Sequence, residues 1–324
     1  MQKICVNMEY LILILSLAGI VLGADFLVKG AVVVARKCRV SSFVIGAVIV
    51  GIGTSLPELV VSTVGAIGGN SEVAIGNVVG SNIFNVFAIL GLTALFFPIA
   101  VSRENMKFEI PFCIAVSILL MLLVYNFFVG GEPRLGRWDG AALLLVFTSF
   151  MWISLRRGKN SAATAGESVE EVNKSLWFAA FSILGGLAAL IVSSNFFVDE
   201  AVAIARKLGV SDAFISITLL ACGTSLPELA ASVTAAVKKD TDMALGNIIG
   251  SNIFNATMIL GTASLITPLT TGKIGLVDYG AMILAAVLPM IFGIRGKITR
   301  FEGLLMLLCY AAYTWYIVTY VMSV

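Results

Sequence analysis

Two glutamates in this chain stand in the same setting: residues 53–59 and residues 223–229 both read GTSLPEL. In each copy a proline separates a Gly-Thr-Ser run from the acid. Pro57 has no N–H to give to the carbonyl of Gly53, and its ring crowds that carbonyl, so a helix passing through should break or kink near 53–57. The carbonyls freed there, the hydroxyls of Thr54 and Ser55, and the carboxylate of Glu58 all offer oxygen, the ligand that hard cations select. Thr54, Ser55 and Glu58 lie at i, i+1 and i+4, close enough to converge on one face of the turn. Glu58 also follows the break, near the start of a new half-helix, where the dipole favours an ionised carboxylate. Gly223, Thr224, Ser225, Pro227 and Glu228 repeat the arrangement.

A second pair of identical segments follows, GSNIFN at 80–85 and again at 250–255. Asn77, Ser81 and Asn85 recur every four residues and form one polar stripe over two helical turns, as do Asn247, Ser251 and Asn255. Ser81, Asn85, Ser251 and Asn255 are expected to line a cation path. Asn77 and Asn247 suit that path or hydrogen bonding between helices equally well. Gly76 with Gly80, and Gly246 with Gly250, are small-xxx-small pairs that let a neighbouring helix approach.

The elements that must hold these groups are set by composition. The chain has 324 residues, 59% of them hydrophobic and only 12% charged, with a mean hydropathy of +1.01. No soluble core of this size could hide so much apolar surface. Apolar runs long enough to span a bilayer recur from end to end, so the expectation is an all-α polytopic membrane protein. Ten spans are read, at about 8–35, 42–69, 73–97, 108–129, 138–156, 176–205, 212–237, 241–267, 277–294 and 301–322. A net charge of +2 makes nucleic acid an unsuitable partner. Histidine is absent, which removes histidine bases and most zinc sites. The five cysteines show no CxxC spacing and imply no framework.

Counting Lys and Arg on alternate sides puts six with the N-terminus and fourteen opposite, with Lys29 inside a span. The positive-inside rule then places both termini outside and the basic loops in the cytoplasm. The only linker-like stretch is 159–174, rich in Ser, Ala, Gly and Glu, and it reads as a solvated connector. It divides the chain into residues 1–158 and 175–324.

The two halves are copies. The offset of 170 holds without a gap from ARKCRVS (35–41) against ARKLGVS (205–211) to Pro98 against Pro268, and 21 of the 39 positions from 53 to 91 are identical. Five spans per half is an odd number, so the second copy enters the membrane from the opposite side. That predicts two inverted five-helix repeats, the architecture of secondary transporters whose sites lie near the midplane where discontinuous helices meet. A charge at the bilayer centre costs about 2.5–3.5 kcal/mol on insertion scales. Neither motif carries a cation, the nearest being Arg39 and Lys238 at span ends, so a bound cation or protons must supply the counter-charge. Asp25, Asp199 and Glu200 are expected to be interfacial or water-facing. Glu72, Asp240 and Asp242 are expected to be turn residues able to draw cations by their field.

At these motifs the chain resembles the sodium/calcium exchanger family, part of the wider cation/calcium exchanger superfamily. The segments around 42–98 and 212–268 look like its two α-repeats, and the short central loop resembles the compact microbial form. The resemblance implies that Glu58 and Glu228 hold Ca²⁺ and Na⁺ in alternation. Thr54, Ser55, Thr224 and Ser225 would complete the shells, Ser81, Asn85, Ser251 and Asn255 would flank them, and the carbonyls of Gly51 and Ala221 would serve outer sodium positions. One departure stands out. The position matching Asn255 is an aspartate in well-studied members, so this chain has two carboxylates there, a formal −2 that suits one Ca²⁺ and leaves room for proton coupling.

The reading is therefore a secondary antiporter of the cell (inner or plasma) membrane, exchanging Ca²⁺ for Na⁺ by alternating access, with no cofactor beyond the transported ions and with those ions and the bilayer as partners. The long first spans of each half would slide against the core, as the resemblance implies. The rival is an H⁺-coupled exchanger of Ca²⁺ or another divalent cation. A passive channel fits less well, because it needs weak multi-site binding along an open path. An intramembrane hydrolase using Ser55 or Ser225 lacks a histidine or lysine base.

Overall fold

A computed structural model of the chain describes residues 2–127, 132–160, 175–208 and 221–323. The first half begins with α1 (Gln2–Lys37). A bent pair follows, α2 (Ser42–Thr54) and α3 (Leu56–Ile67), and then α4 (Ser71–Phe96). Strand β1 (Ile99–Ala100), α5 (Asn105–Val124), β2 (Arg134–Leu135) and α6 (Arg137–Asn160) complete that half. The second half runs through α7 (Leu176–Lys207), the short α8 (Ala221–Gly223), α9 (Leu226–Val237) and α10 (Thr241–Ile266). It ends with β3 (Leu269–Thr270), α11 (Leu276–Gly293), β4 (Lys297–Ile298) and α12 (Arg300–Ser323).

Among the described residues, eight helices are long and apolar enough to cross a membrane, or nine with α2 and α3 counted as one span. The span expected at 212–237 is represented by α8 and α9, while 212–220 lie outside the described residues, as do 161–174 of the expected linker. Large apolar side chains such as Leu22, Val64, Phe181 and Trp315 face outward. On a multi-pass membrane protein that surface meets lipid.

Two close packings organise the bundle. Gly19 lies against Ser193, Gly23 against Gly186 and Leu190, and Gly30 against Ala179 and Ile183. The reversed order makes α1 and α7 antiparallel, with their backbones nearly touching. Lys207 pairs with Glu9 at one end of this pair. The second packing sets α2 against α10: a Cβ on Gly246 would sit 2.2 Å from the carbonyl oxygen of Phe43, and one on Gly250 would sit 2.4 Å from Cα of Ala47. Small residues permit this approach where lipid supplies no hydrophobic drive for helix association.

α4 and α10 run antiparallel through the centre, because the exit of each meets the entry of the other. The N–H of Ala100, just past α4, donates to Thr241 Oγ1 at the start of α10. Ser71 Oγ at the start of α4 lies 2.9 Å from Thr270 Oγ1, just past α10. The same exits carry short antiparallel strand pairs, β1 with β4 and β2 with β3, each joining one half to the other.

Candidate ion-binding site

The break expected at 53–57 falls on Ser55, whose φ of −83° and ψ of 10° leave the helix, and α2 and α3 meet there at 46°. Ser225 does the same at φ −92° and ψ 8° before α9. Pro57 and Pro227 sit at the second positions of α3 and α9, in the first turn, where a missing N–H costs nothing because those N–H groups have no intrahelical partner. Glu58 and Glu228 therefore lie in the first turns of new helices, on the positive end of each dipole.

Both carboxylates are fully buried, and Thr54, Ser55, Ser225, Ser251, Asn85 and Asn255 are likewise at 0% exposure, with Ser81 at 1%. The hydroxyls are exchanged between halves. Ser55 Oγ donates to Glu228 Oε1 at 2.7 Å, and Ser225 Oγ donates to Glu58 Oε1 at 2.9 Å. Ser81 Oγ also reaches Glu58 Oε1, at 3.5 Å, and lies 3.2 Å from Ser225 Oγ. The expected convergence of Thr54, Ser55 and Glu58 on one face is thus replaced by a crossed arrangement, since Ser55 serves the other half's acid. The reason is the bend, which turns the Ser55 hydroxyl away from its own helix.

Thr54 and Thr224 support the same crossing one step out. Thr54 Oγ1 donates to Asn247 Oδ1 and to the Gly51 carbonyl, both at 3.3 Å. Thr224 Oγ1 donates to Asn77 Oδ1 at 3.4 Å. Asn77 Nδ2 in turn holds the carbonyl of Glu58 at 3.3 Å and Ser62 Oγ at 3.0 Å. Asn247 Nδ2 holds the carbonyl of Glu228 at 3.2 Å and Ser232 Oγ at 2.8 Å. Of the two roles open to Asn77 and Asn247, hydrogen bonding between helices is the one seen. Ser251 Oγ donates to the Gly51 carbonyl at 3.2 Å. Ala221 opens α8, and residues 212–220 before it lie outside the described residues.

Asn85 and Asn255 each begin a π-helical turn, Asn85–Leu90 and Asn255–Ile259, a local widening often found at functional positions. Their side chains reach two residues that periodicity passed over, Asn82 and Asn252. Asn85 Nδ2 donates to Asn252 Oδ1 at 3.0 Å, and Asn255 Nδ2 donates to Asn82 Oδ1 at 3.2 Å. The identity of the two GSNIFN segments was the available signal, but the four-residue stripe leaves 82 and 252 on another face.

One feature of this centre bears on its chemistry. Glu58 Oε2, Glu228 Oε2, Asn85 Oδ1 and Asn255 Oδ1 are buried and accept no hydrogen bond from the described residues. Among the described residues no lysine or arginine forms an ion pair with either glutamate. Leaving a buried acceptor unsatisfied costs about 1–3 kcal/mol, and more for a charged group. Among the other acids, Asp25 pairs with Lys29 at 2.6 Å and Lys238 at 2.7 Å. Asp240 caps α10 through the N–H of Met243 at 3.0 Å, Glu72 Oε1 accepts from the N–H of Lys273 at 2.8 Å, Asp199 is exposed and Glu200 is half-buried.

A multi-pass helical bundle with paired acids on broken helices at its centre has the design of an ion transporter. The family model described as sodium/calcium exchanger protein matches residues 8–156 and 178–319. The chain is 37% identical over 314 residues to CaxA of Alkalimonas amylolytica, covering 93% of this chain and 96% of that one. It is 34% identical over 342 residues to the sodium/calcium exchanger MaX1 of Methanosarcina acetivorans, covering 95% and 98%. The solved sodium-calcium exchanger NCX_Mj superposes with a TM-score of 0.81 at 33% identity, over 95% of this chain and 98% of that chain. The chain belongs to the sodium/calcium exchanger family and is a membrane ion antiporter.

Proposed function

We propose that the protein exchanges Ca²⁺ for Na⁺ across the cell (inner or plasma) membrane, with both ions bound in turn between Glu58 and Glu228. The observation that carries this reading is the set of four buried acceptor oxygens, two from carboxylates and two from amides, that no donor among the described residues satisfies. Oxygen-only ligands with a formal charge of −2 suit one Ca²⁺, and a bound cation relieves both the desolvation of each acid and the repulsion between them. Thr54, Ser55, Thr224, Ser225, Ser81 and Ser251 supply hydroxyl oxygens around the pair, and the carbonyls of Gly51 and Ala221 serve sodium further out.

Because the two ions need the same carboxylates, they cannot occupy them together, and each must leave before the other binds. Access then alternates between the two faces. We take the chain as ten spans in two inverted halves, 1–158 and 175–324, with both termini outside. The antiparallel course of α4 and α10, together with the reciprocal bonding of the two motifs, supports that inversion. α1 and α7, packed on each other, would move as one body against the core.

A proton-coupled exchanger of Ca²⁺ or another divalent cation is the second reading, and Asn255 favours it by leaving the pair without a third carboxylate. Uptake of ⁴⁵Ca²⁺ into proteoliposomes loaded with Na⁺, or with K⁺ as control, at clamped pH separates the two. Uptake that needs internal Na⁺ and is lost in Glu58→Gln and Glu228→Gln is the expected result. Uptake indifferent to Na⁺ but driven by a pH gradient would select the proton-coupled reading, and gradient-independent flux would mean a channel.

A further inference from the structure

We propose that Asn82 and Asn252 are positioning residues, and that their clasp makes asparagine rather than aspartate the residue this site requires at 85 and 255. The assignment rests on the paired-glutamate reading above and adds to it two residues outside the ion-binding set named there.

Asn82 Nδ2 donates to the carbonyl of Asn252 at 3.1 Å, and Asn252 Nδ2 donates to the carbonyl of Asn82 at 3.1 Å. A backbone carbonyl can only accept, so the NH₂ group of each clasp residue is fixed in place and neither amide can turn over. Each Oδ1 must then face the remaining neighbour as an acceptor. Those neighbours are Asn255 for Asn82 and Asn85 for Asn252, and both present Nδ2. The polarity passes on once more. With their nitrogens committed to the clasp, Asn85 and Asn255 are left with Oδ1 as the buried, unpartnered acceptor.

Asn85 and Asn255 lie one helical turn beyond Ser81 and Ser251, and Ser81 reaches Glu58, so the clasp sets the direction of two amide oxygens one turn from a residue that touches the acid. A carboxylate at 255 has no hydrogen to give. Set against Asn82 Oδ1 it would bring two acceptors together in a buried place, where such a contact is costly. The clasp therefore keeps the number of carboxylates at two, whatever the cation.

A double-mutant cycle on Ca²⁺ affinity tests this, read by titration calorimetry on the purified full-length protein. Asn255→Asp should weaken Ca²⁺ binding about tenfold while Asn82 is present, and about twofold or less, or not at all, when Asn82→Ala has removed the opposing acceptor. A residue that only holds helices together would lower thermal stability without reversing the effect of a change at 255. Should Asn82→Ala fail to fold, the mirror cycle of Asn252→Ala with Asn85→Asp asks the same question. Costs that add within about twofold in the measurable cycle overturn the clasp. Glu58→Gln and Glu228→Gln run alongside: Ca²⁺ binding that survives both overturns the paired-site reading and this assignment with it. Binding lost in both while the asparagine cycle stays additive overturns the clasp alone.

Discussion

Ser55 donates a 2.7 Å hydrogen bond to Glu228, the acid of the other half, and not to Glu58, three residues along its own chain. Ser225 mirrors it toward Glu58. A hydrogen bond to a charged group contributes about 1.5–3 kcal/mol, so Ser55→Ala should weaken Ca²⁺ affinity about tenfold or more. The crossing adds a sharper expectation. Ser55→Ala should be strongly non-additive with Glu228→Asp and close to additive with Glu58→Asp, as calorimetric titration of the single and double variants would reveal.

Glu58→Gln and Glu228→Gln should abolish Ca²⁺ transport without unfolding the protein. Each removes a buried charge that no lysine or arginine among the described residues pairs with, so thermal stability in ion-free buffer should hold or rise. Saturating Ca²⁺ at about 100 times its dissociation constant adds roughly 2.7 kcal/mol to a binding-competent protein. That increment should vanish in both variants. A melting curve with and without Ca²⁺ checks it, and a large loss of stability in ion-free buffer would count against the site.

Gly246 should not tolerate alanine. Its added Cβ would meet the Phe43 carbonyl oxygen at 2.2 Å, a backbone atom that cannot rotate aside. Overpacking of this kind costs about 1–3 kcal/mol, and here it would also push α2 away from α10. Gly280 is the control, being exposed with nothing within 4 Å of its added Cβ. Gly280→Ala should leave the melting temperature unchanged or raise it slightly, because alanine is the better helix former by about 1 kcal/mol.

The Asp25–Lys238 pair joins α1 to the end of α9 at 2.7 Å, with side chains 31% and 28% exposed. A pair so placed is worth no more than about 1 kcal/mol, and Asp25→Asn should barely move the melting temperature. If α1 shifts against the core during transport, the pair must open in every cycle. Turnover should then change by up to about fivefold, with the Ca²⁺ concentration for half-maximal uptake unaltered. Stopped-flow uptake measures both.

Much of this was legible in the residues. Pro57 and Pro227 mark the breaks, and the duplicated motifs single out both acids. The crossed serines were not legible, because a single helix read by its period keeps Ser55 beside Glu58. The 46° bend that redirects the hydroxyl is a tertiary quantity. Asn82 and Asn252 escaped for a related reason: they act where two helices cross, and no periodicity within one helix reports what faces it from another. The π-helical turns at Asn85 and Asn255 carry no compositional mark. Asp25, expected at the interface or in water, has two lysine partners, one of them more than 200 positions away in sequence.

The two short strand pairs carry a consequence for how the molecule is assembled. β1 and β2 belong to the first half and β3 and β4 to the second, and each pairs only across that divide. With Ser71 on Thr270 and Ala100 on Thr241 beside them, the halves are stitched at two seams. Two polypeptides divided between 159 and 174 would therefore keep both seams.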